Sequence, residues 1–87
     1  MTAIRKKPGA YVETEIDGET VLMRLSDGDF FSLGGTARAI WLAIDDTRSA
    51  GEIAALLADR FEAPASELEA DVTRFLADLA DSGLISA

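Results

Sequence analysis

From Tyr11 to Ile16 apolar and polar positions alternate, with Val12, Thr14 and Ile16 on one face and Tyr11, Glu13 and Glu15 on the other. That two-residue period is the signature of a half-buried strand. Asp17-Gly18 follows, a pair that tolerates the positive φ angles of a tight hairpin turn. A second alternating run covers Thr20 to Leu25, and Asp27-Gly28 marks a second turn. The third run, Phe30-Phe31-Ser32-Leu33, ends at Gly34-Gly35. Three β-rich runs joined by two hairpin signals predict an antiparallel meander with the first and third strands at its edges.

After Gly35 the period lengthens. Ala37, Ile40, Trp41 and Ile44 fall at helical spacing, with Thr36 placed to cap them. Ser49 and Glu52 have the spacing of a capping box before a second helix with Ile53, Leu56, Leu57 and Phe61 as its stripe. Ser66 and Glu69 repeat that spacing before a third helix, read as Glu67 to Ser82, with Leu68, Val72, Phe75, Leu76 and Leu79 on one side. Gly83 is the expected stop and Leu84 its hydrophobic partner. Three amphipathic helices and a three-stranded sheet must cover one another. The reading is therefore a small α+β domain in which a three-stranded antiparallel sheet is followed by three helices, the first two meeting in a helix-turn-helix-like corner. Residues 1–10, with a basic run and a Pro8-Gly9 break, read as a flexible N-terminal arm, and 11–87 as the domain.

Composition narrows the chemistry. The 87 residues include no Cys and no His. That excludes disulfides, thiolate nucleophiles, imidazole bases and nearly every zinc site. All sixteen acids lie beyond Pro8, against five bases there. So acidic a body repels a polyanion, so nucleic acid is not expected as a partner. No stretch approaches the length of a membrane span and residues 1–10 hold no signal core, so the expected location is cytoplasmic, without membrane contact. The acids Asp27, Asp29, Asp45 and Asp46 sit at turns, where water keeps carboxylates ordinary. No calcium loop or phosphate-cradling glycine motif is present. Neither enzymatic activity nor a cofactor is expected.

The third strand is more informative. Adjacent Phe30 and Phe31 must point to opposite faces. Phe31, in phase with Leu33, is expected to enter the core, while Phe30 and Ser32 face outward or under a neighbour. An edge strand with an aromatic and no Lys or Pro is poorly defended against accepting another strand.

The ordered set V-L-M-R-L at 21–25, D-G-D-F-F-S-L at 27–33, T-A-R-A-I-W-L at 36–42, S-A-G-E-I-A-A-L-L at 49–57, D-V-T-R-F-L-A-D-L at 71–79 and G-L-I at 83–85 resembles the PqqD-like family. That family includes the pyrroloquinoline quinone biosynthesis protein D and the recognition elements of ribosomal-peptide modification systems. The resemblance spans about residues 11–86 and leaves the basic arm outside. It implies a winged-helix-turn-helix-like fold and a non-catalytic module that binds the leader segment of a precursor peptide and presents it to a separate enzyme, such as a radical-SAM protein or the leader peptidase of lasso-peptide pathways. The leader is implied to add as a strand beside Asp29, Phe30, Phe31, Ser32 and Leu33, facing Leu68, Asp71, Val72, Phe75 and Leu76 of the third helix. Arg74, the sole base among six acids from Glu62 to Asp81, is a candidate partner for a leader acid, with Asp71 or Asp78 selecting a base. Trp41 reads as core. A monomer or weak homodimer is expected.

Two other classes stay open on the residues alone. The helix-turn-helix spacing suits a DNA-binding regulator, although residues 49–61 hold Arg60 against Glu52 and Asp59. The third strand also suits self-pairing in a structural dimer.

Overall fold

The fold, seen in a computed structural model that describes residues 3–86, is built from two small sheets and three helices. In chain order these are β1 (Arg5–Lys6), a short 3-10 helix (Pro8–Ala10), β2 (Tyr11–Ile16), β3 (Glu19–Arg24), β4 (Phe30–Leu33), α1 (Gly35–Ala43), α2 (Ala50–Phe61), α3 (Ala65–Asp81) and β5 (Ile85–Ser86). The meander β2-β3-β4 is antiparallel throughout, with β3 central. Asp17 and Gly18 turn its first hairpin with φ of 50° and 80°, the left-handed pair that a two-residue turn of this hand requires.

The core lies between one face of this sheet and the helices. Leu22 and Leu33 meet Ile40, Trp41, Ile53, Leu57, Val72, Leu76, Leu79 and Leu84, all buried. Tyr11 reaches the same core edge-on to Trp41, with ring centroids 5.2 Å apart. The inward face of β2 is therefore Tyr11, Glu13 and Glu15. Its acids lie at the rim, where Arg38 of α1 reaches Glu15 at 2.8 Å. Val12 and Ile16 point the other way and are about half exposed, at 48% and 52%.

Helix boundaries follow local chemistry, with three departures from expectation. The Ser49–Glu52 capping box forms as read, Ser49 Oγ accepting from Glu52 N and Glu52 Oε1 from Ser49 N. The Schellman stop also forms: Leu84 N donates to Leu79 O and Gly83 N to Ala80 O, with Gly83 at φ +78°. Thr36, however, does not cap α1. The helix starts at Gly35, two residues earlier than a Thr36 cap would place it, and Gly34 holds the cap position without a side-chain bond. Ser66 likewise falls inside α3, because Pro64, its φ already helical, starts the helix at Ala65, and Pro64 O accepts from Glu67 N and Leu68 N. The buried stripe of α2 is Ile53, Ala54 and Leu57, which leaves Leu56 and Phe61 partly in water.

The largest departure concerns the N-terminal segment, expected as a flexible arm. From Ala3 to Ala10 it lies against the body. Arg5 and Lys6 pair with Ser86 and Ile85, and Lys7 N donates to Leu84 O. Ile4 is 4% exposed. Lys6 N donates to Asp46 Oδ1, and the Lys6 ammonium stands 4.3 Å from the centroid of the Trp41 ring. Burial lowers the pKa of that ammonium, against the raising influence of Glu13 and Asp46.

Candidate functional site

β4 is bonded on one side to β3, and no strand among the described residues pairs with its other side. Register decides what that open edge offers. Antiparallel pairs alternate between those that exchange both backbone bonds and those that exchange none. Arg24 N donates to Asp29 O at 2.8 Å, which marks Arg24 and Asp29 as bonded opposites. The same parity holds for Leu22 with Phe31 and Thr20 with Leu33. Phe30 and Ser32 therefore turn their N–H and C=O groups away from β3, toward the open edge. Their side chains lie on the outer face, where Phe30 is 71% exposed. Phe31, half-buried, and Leu33, buried, face the helices. The alternation expected of the two phenylalanines is present. Asp29 differs from the strand proper. Its N–H donates to Asp27 Oδ1 and its C=O accepts from Arg24 N, so its backbone offers nothing to a guest strand.

Arg24 joins the walls around this edge. Its guanidinium pairs with Asp27 at 2.6 Å and Asp29 at 3.2 Å, and its Nη1 donates to Ser82 O, at the end of α3, at 3.1 Å. The same group stands 5.3 Å from the centroid of the Phe31 ring. The hydrogen bond from Arg24, with a second from the Asp29 amide, pulls the Asp27 carboxyl down to about 2. Sequence reasoning missed Arg24, because the bond that ties it to α3, to Ser82 O, comes from 58 residues away. Its only local signal was an Asp three residues on.

The carbonyl of Ser82 ties the C-terminal end of α3 to Arg24. Asp71, Phe75 and Asp78 share one stripe of α3 at helical spacing. Phe75 is half-buried against the core, while Asp71 and Asp78 are exposed. The structure divides the candidate helix positions accordingly. Leu68, Val72 and Leu76 are 7%, 0% and 3% exposed and belong to the core, because α3 packs chiefly along α2. They are the members of the candidate set that serve the core. Arg74 lies off the stripe, 3.0 Å from Asp71 of its own helix. It also borders a shallow depression with Ser66, Glu69, Ala70, Thr73 and Ala77. One helix supplies that whole lining, on a different side from Phe75, so it encloses nothing.

The model of coenzyme PQQ synthesis protein D matches residues 19–85, from the first residue of β3 into β5. The chain belongs to the PqqD family. The matched region contains β4, the Arg24 cluster and α3; β1 and β2 precede it. No curated protein matches in sequence. Two solved structures share the PqqD-like fold with this chain. One is TbiB1 in complex with the TbiA(beta) leader peptide, at 26% identity and a TM-score of 0.83 over 95% of each chain. The other is a lasso peptide synthetase B1 complexed with the leader peptide, at 22% identity and a TM-score of 0.84, covering 99% of this chain and all of that one.

Proposed function

We propose that this PqqD-family chain captures the leader segment of a precursor peptide by strand addition to β4 and holds it for a separate modifying enzyme, without catalysing a reaction itself. The observation that carries the reading is the open edge: two residues, Phe30 and Ser32, present unused backbone donors and acceptors. Strand addition uses such groups for affinity and flanking side-chain positions for selectivity. Peptides described as leaders are bound by the similar solved proteins TbiB1 and lasso peptide synthetase B1. Carboxylates such as Asp27 and Asp45, held below their usual pKa by hydrogen bonds, are the reverse of a general acid poised near neutrality. The enzyme served is a radical-SAM protein or a leader peptidase, the setting the cytoplasm, and the working form a monomer or weak homodimer.

Amide hydrogen exchange by NMR, with a synthetic precursor leader, tests this. In the free protein Phe31 and Leu33 amides are protected by β3 while Phe30 and Ser32 exchange freely. Saturating leader should protect Phe30 and Ser32. If those two amides still exchange freely in the complex, the leader binds elsewhere and the proposal fails.

A further inference from the structure

The outer face of β4 carries a charged group that nothing described so far uses. Glu19, at the start of β3, extends across the end of β4: Ser32 Oγ donates to Glu19 Oε1 at 2.7 Å. Its carboxyl carbon lies 3.4 Å from the place a Cβ would take on Gly34. Glu19 and Ser32 are both exposed, and no Lys or Arg among the described residues pairs with Glu19. A carboxylate is thus laid beside the open edge, anchored by one hydroxyl and unneutralised.

We propose that Glu19 makes the edge selective for a peptide strand bearing Lys or Arg at the position beside Ser32. The inference deepens the strand addition proposed above and rests on it. The pleat gives a guest strand two faces, whichever way it runs. Guest residues beside Phe31 and Leu33 turn toward α3. Those beside Phe30 and Ser32 project onto the outer face. An apolar guest residue beside Phe30 covers that exposed ring. Two positions along, the residue beside Ser32 is a cross-strand neighbour of a hydroxyl whose partner is Glu19. A basic side chain there spans the remaining gap, whereas an acidic one meets a like charge. The recognised ligand is therefore an extended segment with an apolar and a basic residue two positions apart on one face and apolar residues on the other.

The test is a display selection of short random linear peptides on the wild-type protein and on Glu19→Lys, followed by affinities of individual winners. Wild type should enrich Lys or Arg at a position two residues from an apolar one, and Glu19→Lys should enrich Asp or Glu there. A wild-type winner should bind Glu19→Lys about threefold or more weakly, the scale of an exposed cross-strand ion pair. The same charge preference from both proteins would overturn the inference. Binding of the winners to Ser32→Pro, with Ser32→Ala as control, separates the two proposals. Winners that ignore Glu19→Lys but lose affinity for Ser32→Pro sink the charge selectivity alone. Winners that bind Ser32→Pro as tightly as wild type sink strand addition, and the selectivity with it.

Discussion

Replacing Ser32 with proline isolates a single backbone donor. Ser32 N–H points away from β3, so its loss breaks no bond of the native sheet. Proline is tolerated on edge strands when the missing N–H faces outward. A backbone hydrogen bond contributes about 0.5–1.5 kcal/mol net, and a guest carbonyl left unpaired in a closed groove costs about 1–3 kcal/mol. Ser32→Pro should therefore weaken leader binding by about tenfold or more, since about 1.4 kcal/mol is one decade. Ser32→Ala keeps the N–H and removes only the hydroxyl on Glu19, so its affinity should stay within about threefold of wild type. Phe31→Pro is the inverse case. Phe31 N–H is bonded to Leu22, which is 0% exposed, so no water replaces the donor. The orphaned carbonyl alone costs the fold about 1–3 kcal/mol. Fluorescence anisotropy of a labelled leader measures binding, and thermal unfolding by circular dichroism measures the fold. A folded Ser32→Pro with wild-type affinity would refute the edge reasoning. A Phe31→Pro as stable as wild type would refute the register.

Three further outcomes follow from the structure. Gly83→Ala meets no atom within 4 Å but must hold φ +78°, so thermal melting should fall by about 4–8 °C, corresponding to about 1 kcal/mol of left-handed strain; an unchanged melt would contradict the Schellman stop. Removing residues 1–7 deletes β1 and the buried Ile4, and should cost about 1.5–3 kcal/mol for that side chain alone in urea unfolding; a truncated chain of equal stability would return the segment to the status of a free arm. Asp27 has a folded pKa near 2 against an ordinary 3.8, so its contribution is complete above about pH 4 and is lost as pH falls toward 2. The carboxyl carbon shift of Asp27 should titrate with a midpoint near 2, and one at or above 3.8 would show that Arg24 does not hold it.

Much of the site was legible before the fold. Adjacent Phe30 and Phe31 had to split between faces, and two hairpin signals put their strand at an edge. The candidate helix came from the family resemblance, and its periodicity could not divide core from groove, since Leu68, Val72 and Phe75 all lie in one apolar stripe. Only the packing of α3 along α2 separates the buried Leu68, Val72 and Leu76 from the half-buried Phe75. Nothing local marks Glu19, because its reach to Ser32 spans thirteen residues of chain.

Several turns and caps of this protein came from its sequence alone because their bonds close within a few residues, although the caps expected at Thr36 and Ser66 did not form. The Asp17-Gly18 turn, the Ser49–Glu52 box and the Gly83 stop are of this kind. Pairing of Arg5 with Ser86, the turning of Val12 and Ile16 outward, and the joining of Arg24 to Ser82 were decided only in the folded molecule. Each of these depends on which distant segment arrives beside it, and hydropathy carries no record of distance through space. An open edge is of the same kind: a strand's pattern states that it pairs, while the rest of the chain determines on which side it is left unpaired.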